Sequence, residues 1–268
     1  MPGSRTERFA SQISGFFTPL GREQGLSMAL WVVEPRGRRN GAARRYLRSR
    51  GNFDGRIFAL KRALLTPPAA ALGFFAYFVM ALLLMHAIRP DYTVIDHMIS
   101  DYAVGPTGWI MTTAFASLAL GCLALAIGLF RNGPTSWLGR IGASLLIVAF
   151  LGLVVTALFP TDLETAPTTQ TGNIHTISFL VNVVSIFVST LCLALSYGGS
   201  PDWRGHRTPA LIFAGLLAVA FVGQFLTLHR GAPYGIANRL FVAILMAWLI
   251  LNSVWLRQVT DKARLLES

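Results

Sequence analysis

The sequence predicts an all-α fold, a polytopic membrane protein built as a six-transmembrane-helix bundle with its N and C termini cytoplasmic. Three observations carry that reading. Hydrophobic residues make up 53% of the 268-residue chain and charged residues only 13%, and the mean hydropathy is +0.54, a balance that suits lipid as the surrounding solvent. Six apolar stretches each approach the ~20 residues that a helix needs to cross ~30 Å of hydrocarbon. Basic residues gather at alternate connections, as retention of Lys and Arg on the cytoplasmic side requires.

The six stretches are Pro68–Ile88, Gly108–Phe130, Ile141–Phe159, His175–Tyr197, Pro209–Leu228 and Ile236–Leu256. Turn and breaker residues bound them: Pro67-Pro68 before the first, Gly105-Pro106 before the second, Asn132-Gly133-Pro134 after it and Phe159-Pro160 after the third. Arg56, Lys61 and Arg62 precede the bundle, Arg131 and Arg140 occupy the second connection, Arg204 and Arg207 the fourth, and Arg257, Lys262 and Arg264 the tail. The other connections hold only Arg89 and Arg230, with Arg239 a little inside the sixth span. Every crossing therefore agrees with a plasma-membrane protein whose even connections and ends face the cytoplasm.

The domain division follows: a basic region 1–66, a transmembrane domain 67–257 and a tail 258–268. Residues 1–66 hold 13 basic and 4 acidic residues and so most of the chain's net charge of +11. Seven arginines fall between Arg36 and Arg50 and no long apolar run is present, which predicts a largely disordered cytoplasmic segment. A basic amphipathic helix near Phe53–Leu65 would rest on anionic lipid. No nucleic-acid-binding motif accompanies the charge, so no nucleic-acid partner is expected. Met28 offers an alternative start to Met1, because the basic anchor and all six spans lie downstream of it. Cys122 and Cys192 both lie in apolar runs, where they read as small hydrophobic residues.

Acids, histidines and hydroxyls collect on the outer connections. The first contains Asp96, His97, Ser100 and Asp101, which one or two helical turns would bring together at i,i+3 and i,i+4 spacing. The second contains Phe159-Pro160-Thr161-Asp162 and leads to Gly172 and His175. From His175 the stripe His175, Ser178, Asn182, Ser185, Ser189 should face the bundle interior. The third contains His229 and Arg230, then Asn238 and Arg239 about one turn inside the sixth span, where an intramembrane charge signals function or a buried partner.

These residues resemble a family. Ile99-Ser100-Asp101-Tyr102-Ala103 with Gly105-Pro106 and Gly108-Trp109, then Phe159-Pro160-Thr161-Asp162, Gly172 with His175, and Gly235 with Arg239 and Trp248 are similar to the bacterial and archaeal membrane family catalogued as domain of unknown function nine-nine-eight. That family is related to the Frag, DRAM and Sfk type of six-helix proteins. The resemblance covers roughly Ala70 to Trp255 and implies no more than a lipid-facing role, since fold likeness does not transfer a reaction.

Several kinds of chemistry are open to the outer cluster. His175, with Asp101 and Asp162 and with His97 as a further nitrogen ligand, has the residue types for a divalent metal such as zinc. Ser100 activated by His175 or His97 would serve metal-free nucleophilic catalysis. Against these stand structural roles, with Ser100 and Asp101 capping the second helix and Arg239 tied to Asp101 or Asp162. Arg230 and Arg239, with Asn238 and His97, would alternatively receive a lipid phosphate. The expectation is an outward-facing site of Ser100, Asp101, Asp162, His175 and Arg239 that binds or acts on a lipid head group. The alternatives are a non-enzymatic structural protein and, third, a small-molecule transporter.

Overall fold

The computed structural model describes residues 66–163, 166–229 and 232–267. The basic head with Phe53–Leu65, the start at Met28, and Arg230 lie outside them. The described residues form six α-helices in order: α1 Pro67–Ile88, α2 Gly108–Asn132, α3 Trp137–Leu158, α4 Gln170–Tyr197, α5 Arg207–Leu226 and α6 Tyr234–Glu267. Each lies in a segment long and apolar enough to cross a membrane. Two 3-10 turns, Ile99–Ala103 and Arg204–His206, interrupt the connections, and the described residues contain no strand.

The expected spans are all present, and three helix boundaries differ for local reasons. Helix α3 starts at Trp137, four residues before Ile141, because Ser136 caps it by accepting the Gly139 N–H at 3.2 Å. Helix α4 starts at Gln170 rather than His175, because Thr169 Oγ1 accepts the Gly172 N–H at 3.1 Å. Helix α6 does not end at Leu256. Its 34 residues extend about 51 Å at 1.5 Å per residue, so the segment expected as the tail continues the sixth helix to Glu267. No Gly or Pro follows Leu256 to stop it, and Asp261 lies within ion-pair distance of Arg257 and Arg264 on the same helix. Lys262 meanwhile reaches Asp202 at 2.7 Å.

Lipid supplies no hydrophobic drive between helices, so close approach and buried hydrogen bonds do more of the work. All five members of the expected stripe on α4 are buried. Asn182 Nδ2 donates to Thr156 Oγ1 at 2.9 Å, Thr156 and Ser178 hydroxyls are 2.8 Å apart, and Ser178 donates to the His175 carbonyl at 2.8 Å. Further along, Ser189 donates to the Gly142 carbonyl at 2.7 Å, so polar contacts join α3 and α4 over most of their length. Ser117 ties α2 to α1 by donating to the Phe74 carbonyl at 2.9 Å.

At the end of the bundle where α4 finishes, aromatic rings replace these bonds. Tyr197 stacks on Trp203, His206 stacks on Trp255, and Trp203 Nε1 donates to the Asn132 carbonyl at 3.1 Å. The Tyr197 hydroxyl donates to Asn252 Oδ1 on α6. The odd-numbered connections meet at the opposite end, and the candidate site lies there.

Thr156 is the hub of the α3–α4 contacts. Thr156→Val, which keeps the shape and removes the hydroxyl, should destabilise the bundle by about 1–2 kcal/mol, read as a lower midpoint in reversible unfolding from bicelles. An unchanged midpoint would mean that the hydroxyl network contributes nothing net.

Candidate functional site

The first connection leaves α1 at Arg89. Its guanidinium grips Asp91 through Nε at 2.9 Å and Nη2 at 2.8 Å, and donates from Nη1 to the Val104 carbonyl at 2.9 Å. The neighbouring cation holds the Asp91 carboxyl below its ordinary range. This tie is therefore fully present above the ordinary carboxylate pKa and is lost only as pH falls through the lowered value. Arg89 also lies over the Tyr92 ring, 4.0 Å from its centroid.

From there the chain folds back over the bundle. The Ile99 N–H donates to Asn238 Oδ1 at 3.1 Å, and the Gly235 N–H donates to the Ile95 carbonyl at 2.8 Å, so the start of α6 holds the connection down. Gly235 is required for that approach: a Cβ there would sit 2.6 Å from the carbonyl oxygens of Val94 and His97. Ile99 and Tyr102 are buried beneath.

Arg239 completes the attachment. Its Nη1 donates to the carbonyls of His97 at 2.5 Å, Gly235 at 3.0 Å and Val94 at 3.2 Å, while Nη2 donates to the Tyr102 hydroxyl at 3.1 Å. Nε donates to His86 Nε2 at 2.8 Å. His86 Nδ1 lies 2.7 Å from the Leu82 carbonyl, which can only accept, so Nδ1 carries the proton and Nε2 the lone pair that Arg239 uses. The partner expected for Arg239 was Asp101 or Asp162, and the guanidinium instead meets neutral acceptors. The reason is local: a turn of non-helical backbone offers several carbonyls at once, and both carboxylates are used elsewhere.

Asp101 accepts the Met98 N–H at 2.8 Å and so caps the Ile99–Ala103 turn, not α2 as expected. Between that turn and α2 stand Gly105, in the left-handed region at φ +92°, and Thr107 at the helix start. Asp162 accepts the Thr169 N–H at 2.6 Å and its hydroxyl at 2.9 Å, which fixes the residue that caps α4. Its carboxylate packs directly over Gly172, where a Cβ would collide with it. Asp96 and His97 also depart from the helical spacing expected of them. Thr93 donates to Asp96 at 3.0 Å, and the His97 ring stacks on Tyr92 with centroids 4.7 Å apart.

Under the folded-back connection lies a cavity of about 280 Å³. Of the expected site residues, Ser100, His175 and Asn238 line it, whereas Asp101, Asp162, Arg239 and His97 do not. The structure also brings in Thr156, Asn182 and Gln224. Phe78, Phe115, Phe179, Ile186, Phe241 and Leu245 supply apolar surface, and among the described residues no Asp, Glu, Lys or Arg lines the cavity. His175 Nδ1 is 2.8 Å from the Phe159 carbonyl, one of those freed where α3 ends. That carbonyl can only accept, so neutral His175 keeps its lone pair on Nε2. Gln224 is 2% exposed, and neither its Oε1 nor its Nε2 has a hydrogen-bond partner. The signal for it was present in the sequence as the one carboxamide within α5.

Among the described residues no three His, Cys, Asp or Glu side chains are grouped so as to hold a metal ion. His175, Asp101 and Asp162 are thus not brought together as the expected ligand set, because each carboxylate caps its own turn. The arrangement suits binding of an amphipathic molecule, with polar groups beside a mainly apolar cavity.

The Arg239 attachment is open to test. Arg239→Lys, which keeps the charge and loses the planar fork, should cost about 2 kcal/mol, and Gly235→Ala about 1–3 kcal/mol by forcing the backbones apart. Both should appear as lower melting temperatures of the purified protein. Unchanged melting in both would remove the attachment from the account.

Comparison with known proteins yields one result. Neither the curated proteins nor the solved structures give a match, but the family model described as "Protein of unknown function (DUF998)" matches residues 70–255. The matched span runs from α1 to α6 and takes in the folded-back connection, the cavity and the Arg239 attachment. This chain, with six helices long and apolar enough to cross a membrane among its described residues, belongs to the DUF998 family.

Proposed function

We propose that the chain is a lipid-binding protein of the plasma membrane, with its cavity opening toward the outer leaflet. One observation carries the reading: an apolar cavity beneath the Arg239-held connection, with Ser100, His175, Asn238 and Gln224 in its wall. Ser100, Thr161, Thr176 and Leu228 belong to the ends of the odd-numbered connections or to the helix turns beside them, and Leu118, Val183 and Leu245 lie further along their helices. A lipid would enter from the membrane, place an acyl chain against the apolar wall and bring its polar part to His175 and Gln224. The cavity volume lies near the lower end of the ~300–1,000 Å³ usual for ligand sites, enough for part of one chain and its first polar group.

The orientation rests on charge. Arg131, Arg140, Arg204, Arg207, Arg257, Lys262 and Arg264 fall on the connections and tail at the end opposite the cavity, which basic-residue retention assigns to the cytoplasm. The basic region 1–66 would then meet the anionic inner leaflet.

A second reading is favoured by the roles of Asp101, Asp162 and Arg239, all three of which tie backbone turns together. On that reading Asp101, Asp162 and Arg239 form a structural clamp and the protein is non-enzymatic. The two readings combine readily, the clamp forming the wall of the binding site. Should the bound molecule also be processed, Ser100 and His175 are the lining residues with the chemistry to take part.

Two measurements test this. Val183→Trp should fill the cavity and lower the lipid recovered from the purified protein several-fold at unchanged melting temperature; equal lipid recovery would contradict the cavity as the site. In a Cys122/Cys192-substituted background, a membrane-impermeant maleimide should label Thr168→Cys and spare Arg204→Cys in intact cells. The reverse pattern would invert the orientation.

A further inference from the structure

We infer that the cavity selects an uncharged lipid whose polar group is a hydroxyl, and that Gln224 is the residue that reads it. The inference rests on the cavity being a lipid site and adds to it the chemistry of the head group.

Charge comes first. Among the described residues no acidic residue, lysine or arginine lines the cavity, so a phosphate drawn into it would lose its hydration without a compensating cation from them. The described arginines nearest in the fold are committed. Arg239 spends its donors on carbonyls, a phenol and an imidazole, and Arg89 spends its own on Asp91 and the Val104 carbonyl. The group that enters is therefore neutral, and the phosphate-binding role expected for Arg239 does not apply within the cavity.

Hydrogen-bonding capacity narrows the choice. The Gln224 carboxamide is 98% buried and offers one acceptor and a donor group, neither of them partnered. Leaving such a group unmatched in an apolar interior costs on the order of a full hydrogen bond's desolvation penalty. A hydroxyl donates one hydrogen bond and accepts two, so a single oxygen can donate to Oε1 while accepting from Nε2. An ether or ester oxygen only accepts and would leave Oε1 unmatched. The second polar group in the wall is compatible with the same choice: His175 gives Nδ1–H to the Phe159 carbonyl, which leaves Nε2 as the ring nitrogen able to accept a hydrogen bond. A long-chain alcohol supplies both the apolar body and a donor.

The test uses the full chain in phosphatidylcholine nanodiscs with radiolabelled 1-dodecanol as the probe, and dodecyl methyl ether and dodecyl phosphate as competitors. The alcohol should bind at least tenfold more tightly than either competitor. Gln224→Leu, similar in size and apolar, should weaken the alcohol about tenfold and bring alcohol and ether to parity, with no loss of thermal stability; Gln224→Met serves the same purpose should the leucine variant not fold. Equal binding of alcohol and ether to the unaltered protein, or an unchanged preference in the Gln224 variants, would overturn the inference and leave a carboxamide served by water alone. If Val183→Trp abolishes binding of probes that the unaltered protein does not discriminate, the lipid cavity stands and only the hydroxyl selection falls. Absence of binding by all three probes would overturn both.

Discussion

Non-helical backbone near a bilayer must find hydrogen-bond partners within the protein, and here Arg239 provides them. Residues 89–107 connect two spans through a 3-10 turn and several bends. Their carbonyls at Val94 and His97 are met by one guanidinium, while Asn238 takes the Ile99 N–H and Ile95 takes that of Gly235. A free arginine below the interface would be costly, as would an unsatisfied loop. Each removes the other's penalty, and the result places Met98, Ile99 and Ser100 in the cavity wall.

The same economy runs through the other connections. Asp162 accepts two bonds from Thr169, Thr169 caps α4, and α4 in turn carries His175 to the carbonyl that α3 leaves open at Phe159. Carboxylates that look catalytic in a linear reading are thus holding helix ends. What remains for a ligand is a neutral set, His175, Gln224 and Ser100, in a cavity with much aromatic and aliphatic surface. This division of labour separates the charged residues that build the site from the uncharged ones that would use it.

Much of the fold was legible because it depends on properties that short windows carry. Apolar length marked all six spans, and the period of α4 placed His175, Ser178, Asn182, Ser185 and Ser189 on one buried stripe. The site was legible only in part. Arg239 was recognised as needing a buried partner, but spacing cannot say that carbonyls 142 and 145 residues away outcompete a carboxylate. The cluster of Asp96, His97 and Ser100 assumed helical spacing in a segment whose backbone is bent and turned over Thr93–Met98. Nothing in the sequence separates Gln224 from the other polar residues within the spans, because its importance lies in what it fails to touch, which only the packed bundle reveals.

A neutral lipid in the cavity, with its polar atom on Gln224, is the arrangement from which the proposed selectivity follows. The most direct measurement is an experimental density map of the full chain purified with its native lipids. Elongated density is expected along Phe78, Phe115 and Ile186, ending in an atom about 2.7–3.2 Å from the Gln224 carboxamide. A cavity holding only discrete waters, or closed by side chains with Gln224 bonded to protein, would contradict it.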